Sequence, residues 1–198
     1  MSEIVIASAN PGKVREFMEI LSPWGIVVLS LEDFPLIHPP EEDGSTFLEN
    51  AAIKAVHYSK ITKAPCISDD SGLLVDAIYG SPGISSSRYA GEGATDGENI
   101  DRLLVELSGH TRPWSARFVC SAVFSTGGRV VADSLGTLEG EIIPERRGNF
   151  GFGYDPVFLL PELGKTVAEI RREDKNRISH RRKAIQNLMK KLREMGEI

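Results

Sequence analysis

Cysteine is scarce in this chain: its 198 residues include only Cys66 and Cys120, each inside an apolar segment. Two such thiols cannot form the disulfide framework of a small secreted domain, and a cysteine-built metal cluster is excluded, so the expected compartment is reducing. Long hydrophobic runs are missing as well. No window approaches the roughly 18 apolar residues needed to cross a bilayer, and the opening MSEIVIASAN lacks the basic stretch and long apolar core of an export signal. These absences predict a cytoplasmic protein with no membrane partner. Basic charge is not in excess either. The net charge of -5 argues against a protein that coats nucleic acid, which needs clustered Lys and Arg to displace counterions. Internal repeats, low-complexity stretches and long linkers are also absent. Residues 1–198 are therefore expected to form one domain, with 41% apolar content to build its core.

What is present is unevenly distributed. Glu32, Asp33, Glu41, Glu42, Asp43 and Glu49 form an acidic stretch, whereas the segment from Arg171 to Arg193 is dominated by Lys and Arg. Two solvated helix faces would account for this, and so would a metal ion and a polyphosphate meeting between them. The apolar run Ile4–Ala7 reads as a strand buried on both faces. Asn10 as cap and Pro11 at the first helical position then open a helix with Val14, Phe17, Met18 and Leu21 on one face. Pro23 and Gly25 close it, and Ile26–Leu29 offers a second strand, completing a βαβ unit. Thr46 and Glu49 have the spacing of a capping box before a second helix carrying Leu48, Ala51, Ala52, Ala55, Val56 and Ser59 on one face. Cys66–Ser68 predicts a short strand, Gly72 a break, and Leu73–Ile78 its resumption; the Gly- and Ser-rich stretch 79–97 predicts a surface loop. A third helix over Ile100–Leu107, strands through Ala116–Phe124, Val130–Ala132 and Gly136–Ile143, another strand ending at Leu159–Pro161, and a last amphipathic helix from Ser179 with Ile185, Leu188, Leu192 and Met195 inward complete an α/β pattern.

Four segments carry chemistry. Ser8-Ala9-Asn10-Pro11-Gly12-Lys13 lies between a strand and a helix N-terminus, where N–H groups, the helix dipole and Lys13 favour an anion, although a cap and turn would use the same residues and the Walker spacing is absent. Asp69-Asp70-Ser71-Gly72 places adjacent carboxylates at a buried strand's end, either as turn caps or as partners of a cation such as Mg²⁺. Glu42, Asp43, Glu49 and Lys54 are candidates for the same place. The run GNFGFGYD, 148–155, offers glycines for close backbone approach and aromatics for stacking on a base, or a hairpin with core rings. Lys175, His180 and Arg181 lie in a dense run of donors suited to phosphate or a purine oxygen.

Taken together, SANPGK, EDGSTFLENAAIKA from Glu42, SDDSGL from Ser68, PGISSSRYAG from Pro82, GFGYDPVF from Gly151 and SHR from Ser179 resemble, in order, the inosine triphosphate pyrophosphatase family of non-canonical purine NTP pyrophosphatases. Ser8 stands where many members have Thr, which keeps the hydroxyl. The resemblance implies an elongated, two-lobed α/β fold around a long mixed β-sheet with flanking helices, an active-site cleft between the lobes, and a homodimer. It implies that ITP, dITP, XTP and dXTP are hydrolysed to NMP and pyrophosphate with Mg²⁺, cleansing the nucleotide pool. By position, Ser8 to Lys13 would hold the triphosphate, with Ser71 close by. Glu42 and Asp70 would bind Mg²⁺, Asp70 would also be the general base, and Lys54 and Asp69 would support the site. Phe152, Gly153, Tyr154, Asp155, Lys175, His180 and Arg181 would hold the nucleoside, the last two at its 6-oxo edge on an exposed helix end. Two rivals share some of these features: a related pyrophosphatase acting on dTTP or UTP, and a nucleotide- or RNA-binding module without turnover.

Overall fold

The computed structural model describes residues 3–198. Seven strands form a mixed sheet in the order β2-β1-β3-β4-β5-β6-β7: β1 (Glu3–Ile6), β2 (Val27–Leu29), β3 (Cys66–Val75), β4 (Trp114–Thr126), β5 (Arg129–Ile142), β6 (Phe158–Leu160) and β7 (Lys165–Thr166). The helices are α1 (Pro11–Leu21), α2 (Phe47–Thr62), α3 (Asp96–Leu107), α4 (Arg172–Ile178) and α5 (His180–Met195). β1 pairs in parallel with both β2 and β3, so the opening βαβ unit is as expected, while β5–β6 and β6–β7 are antiparallel. The chain divides into two compact units: the residues up to Ser71 with Cys120–Gly136 and His180–Ile198, and Gly72–Val119 with Thr137–Ser179. β3, β4 and β5 each run through both.

In the first unit the sheet is sandwiched. Successive strand residues point to opposite faces. Ile4 and Ile6 therefore pack with Phe17, Ile20 and Leu21 of α1 and Ile185, Leu188 and Leu192 of α5. Val5 and Ala7 turn to the other face with Tyr58 of α2, where Ala51 and Ala55 meet Val123. Small side chains on α2 thus allow a close helix-to-sheet approach. Gly136 does the same on β5, since a Cβ there would come within 2.2 Å of the His180 carbonyl oxygen and 2.4 Å of the Ala184 nitrogen. Only glycine lets the start of α5 lie against the strand. Between β4 and β5, Gly127 and Gly128 both take positive φ, 56° and 75°, the geometry of a two-residue hairpin turn. The second unit has its own core: Leu73, Val75, Ile100, Leu103, Leu107, Trp114, Phe118, Phe158 and neighbours, with Phe118 and Phe158 stacked at 4.3 Å between ring centroids.

Several boundaries differ from the sequence pattern. β3 runs unbroken through Gly72, and β5 is one strand where two were expected, because ladder bonding to neighbours overrides one residue's weak propensity. The stretch 79–97 is not a structureless surface loop: it holds a 3₁₀ segment over Gly83–Arg88 with Ser86 buried. α3 begins at Asp96, capped by a full Thr95/Glu98 box. On α1 the inward face is Glu16, Phe17, Ile20 and Leu21, while Met18 is exposed; Leu48 of α2 and Met195 of α5 are likewise exposed.

Candidate active site

The loop after β1 is organised by its own side chains. Asn10 Oδ1 accepts from the N–H groups of Gly12 and Lys13, at 2.8 and 3.2 Å, and Ser8 Oγ accepts from Asn10 N–H at 3.2 Å. The first free donors of α1 are thus already engaged. The positive charge available to an anion here is the Lys13 ammonium. Ala9 and Pro11 are exposed beside it.

Asp69 and Asp70 are adjacent in β3 and therefore leave the strand on opposite faces. Their surroundings differ accordingly. The Asp69 side chain is fully buried and its Oδ2 collects four donors: Ser71 Oγ at 2.7 Å, Arg181 Nε at 3.0 Å, Lys13 Nζ at 3.2 Å and the Cys120 thiol at 3.7 Å. Burial alone would raise the pKa of Asp69, but the charges of Lys13, Arg181 and Lys54 and the Ser71 bond outweigh it and hold the carboxyl far below the usual range. It stays ionised at any ordinary pH. The same network pushes the Cys120 thiol up to about 12, through burial first and then the nearby Asp69 charge, which makes it an inert donor and not a nucleophile. Arg181 is completed by Glu16, a buried residue of α1 to which its Nη1 donates, and by Ser71, 3.4 Å from Nη2. Burial would lower its pKa, but Asp69 and Glu16 reverse this and raise it.

Asp70 faces α2 instead and is partly open, with 17% of its side chain exposed. Lys54 Nζ lies 3.6 Å from Asp70 Oδ1 and 2.6 Å from Glu42 Oε2, so one ammonium sits between the two carboxylates. Asn50 Nδ2 reaches Asp70 Oδ2 at 3.4 Å, and Asn50 Oδ1 accepts from Gly44 N–H at 2.8 Å, tying the segment that carries Glu42 to the helix facing Asp70. Burial, Asp69 and Glu42 raise the Asp70 pKa against the opposing pull of Lys54 and Lys13. Burial would lower that of Lys54, but Asp70, Glu42 and Asp69 raise it on balance. Among the described residues no group of three or more His, Cys, Asp and Glu could cage a metal. Two converging carboxylates with access to solvent instead suit a hard cation that keeps waters and takes further oxygens from a phosphate ligand, which is the preference of Mg²⁺.

The second unit holds the aromatic loop. Asp155 is buried; its Oδ2 accepts from the Phe152 N–H at 2.9 Å and from Lys175 Nζ. The Lys175 ammonium also lies 4.6 Å from the centroid of the Phe152 ring, which is 42% exposed. Tyr154, by contrast, is buried with its hydroxyl donating to the Ser86 carbonyl at 2.9 Å, so it anchors the loop, and of the two rings Phe152 is the one open to a ligand. Burial raises the Tyr154 pKa.

The structure thus brings together Lys13, Asp69, Ser71 and Arg181 on one face of β3 and Glu42, Lys54 and Asp70 on the other. One expectation is corrected: His180 and Arg181 are not at an exposed helix end, for they are only 8% and 2% accessible, α5 being drawn in by Gly136. Glu16, Asn50 and the place of Cys120 beside Asp69 carry no signal in the motifs above. Glu16 lies well off the face that Val14, Phe17, Met18 and Leu21 mark, so the helical pattern carries no signal for its burial, which follows from its pairing with Arg181.

These features define a class: an α/β protein in which an adjacent carboxylate pair in the middle of β3, and not at a strand's end as the sequence pattern suggests, is set among lysines and can serve a cation and a polyanion together. More narrowly, the chain belongs to the Ham1 family, whose model matches residues 4–191. It is 51% identical over 189 residues, 95% of this chain and 93% of the relative, to the dITP/XTP pyrophosphatase of Geobacillus kaustophilus. Among solved structures it is similar to a HAM1 protein from Coxiella burnetii (TM-score 0.89, 42% identity, 98% of this chain and 100% of that one). The Staphylococcus aureus Ham1 protein matches at TM-score 0.87 with the same identity and coverage.

Proposed function

We propose that this protein is a Mg²⁺-dependent pyrophosphohydrolase that converts non-canonical purine nucleoside triphosphates, ITP, dITP, XTP and dXTP, to the monophosphate and pyrophosphate, acting in the cytoplasm as a homodimer to cleanse the nucleotide pool. The observation that carries this reading is the division of labour between Asp69 and Asp70, supported by the names of the relatives. Asp69, locked ionised between Lys13 and Arg181, orients cations. Asp70, partly open and with a raised pKa, is the carboxylate able to take a proton from water. Glu42 and Asp70 would hold Mg²⁺, which when bound draws negative charge from the phosphate oxygens. Lys13 and the Ser8 hydroxyl meet the leaving phosphates, and Lys54 sits between the Glu42 and Asp70 oxygens.

The nucleoside is assigned to Phe152 as a stacking platform, with Gly153 allowing close backbone approach, Asp155 and Lys175 fixing the ring, and His180 and Arg181 as donors to a 6-oxo group. Arg181 keeps N–H protons beyond its bonds to Asp69, Glu16 and Ser71. A donor set of this kind leaves adenine, whose 6-amino group also donates, unmatched.

The test is to incubate the protein and Mg²⁺ with ITP, XTP, dITP, ATP, GTP and dTTP and resolve the products. Monophosphate and pyrophosphate from ITP and XTP, with little from ATP, are expected. Preference for dTTP, or binding without turnover, would refute the proposal.

A further inference from the structure

Asp96 lies outside every segment so far tied to the chemistry. It is the first residue of α3 and is exposed, yet its Oδ2 accepts a hydrogen bond of 2.6 Å from the Gly153 N–H, 57 residues further along the chain. A carboxylate in a helix's first turn ordinarily serves the helix's own N–H groups and dipole. In α3 that task belongs to Thr95 and Glu98, whose capping box is complete, with bonds of 2.7 and 3.2 Å. Asp96 is thus free to serve another segment, and the one it reaches is the backbone next to Phe152.

Three consecutive residues of that loop are each held by a different group: the Phe152 N–H by Asp155, the Gly153 N–H by Asp96 and the Tyr154 hydroxyl by the Ser86 carbonyl. The first turns of α3 supply more of the same. Arg146 donates to the Gly97 carbonyl at 2.9 Å and pairs with Asp101 at 2.8 Å, drawing in the chain just before the loop. Asn99 accepts from Ala90 N–H and donates to the Ser87 carbonyl, drawing in the loop that carries Ser86. Phe152 itself is left with an exposed ring whose cationic neighbour is Lys175, so its orientation depends on its backbone.

We propose that Asp96 is a positioning residue for base recognition: its charge-assisted bond to Gly153 fixes the loop so that the Phe152 ring is set for stacking before the nucleotide arrives. This rests on the assignment of Phe152 as the base platform. Because the bond acts on the ring and not on the reacting phosphate, its loss appears in KM and leaves kcat in place.

The experiment compares the wild type with D96A, D96N and E98A, measuring kcat and KM for ITP, the melting midpoint, and amide hydrogen exchange over residues 150–155. D96A is expected to raise KM about five- to tenfold with kcat changed less than about twofold, and to speed exchange in the loop. D96N, whose side-chain carbonyl can accept the same bond, should restore KM to within about threefold of wild type. E98A should lower the melting midpoint without moving KM. An unchanged KM in D96A, a fall confined to its kcat, or an equal rise of KM in E98A would overturn the inference while leaving the function intact. A wild-type protein that does not turn over ITP would instead overturn the assignment beneath it, and the inference with it.

Discussion

Two neighbouring aspartates show how much one step along a strand can change. Asp69 and Asp70 have the same side chain, yet the pleat sends one into a cage of Lys13, Arg181, Ser71 and Cys120 and the other toward Lys54, Glu42 and solvent. Asp70→Asn should lower kcat about a hundredfold or more while leaving the melting midpoint close to wild type, because it removes a base without changing size; a rate within tenfold of wild type would exclude Asp70 as the base. The raised pKa of Asp70 gives a second expectation. The group must be deprotonated to act, so activity appears as pH rises through that pKa, and the acid limb of kcat/KM at subsaturating Mg²⁺ should lie above the ordinary Asp value of about 3.9. A limb below that value would show that another group takes the proton. The adjacency of the two aspartates and the candidacy of Glu42 and Lys54 were legible from residue order. Which carboxylate is locked and which is open was not, since the groups deciding it come from α1, α2 and α5.

At the scale of elements, the start of α1 was legible because all of its signals are local. Asn10 caps, Pro11 follows, and the apolar repeat begins within one turn. Asn10→Ala should cost about 1 kcal/mol by loss of the cap, measured by chemical denaturation, and should also free the Gly12 and Lys13 N–H groups that the Asn side chain now occupies. An unchanged denaturation midpoint would mean that solvent serves these groups equally well. The box expected at the start of α2 is only half formed: Thr46 accepts from Glu49 N–H, but the Glu49 carboxylate turns to Ser45 N–H at 2.7 Å. α4 and β7 escaped notice for a physical reason. The seven residues REDKNRI contain one apolar side chain and β7 has two residues, so neither carries a periodic signal; β7 is defined by its pairing with β6, and α4 buries Lys175 and Asn176.

For the molecule as a whole, the buried ion pairs couple stability to pH. Asp69 in the folded chain has a pKa well below its unfolded value of about 3.9. Between the two, the unfolded chain binds the extra proton, so the stability that Asp69 contributes is complete above about pH 5 and is lost as pH falls toward the folded value. The melting midpoint should therefore drop as pH is lowered from about 5 to 2, and Asp69→Asn, destabilised by about 3–5 kcal/mol at neutral pH through the uncompensated Arg181 and Lys13 charges, should show a shallower drop. Parallel pH profiles for the two proteins would refute the coupling. Light scattering tests the assembly, with a dimer expected.

By itself the sequence determined the βαβ opening, the alternation of helices and strands, the caps, and the short segments in which the chemical groups lie, because each of these depends on residues within a turn or two of one another. Only the tertiary structure decided that β3 continues through Gly72 and β5 through residues 133–135, and that Arg181 is buried against Glu16 and Asp69 instead of lying on an open helix end. The burial of Arg181 depends on residues more than a hundred positions apart along the chain, and the strands on neighbours tens of residues away. Their charges and shapes act on one another only when the sheet and its helices have brought them within a few ångströms, where burial strengthens every interaction that survives.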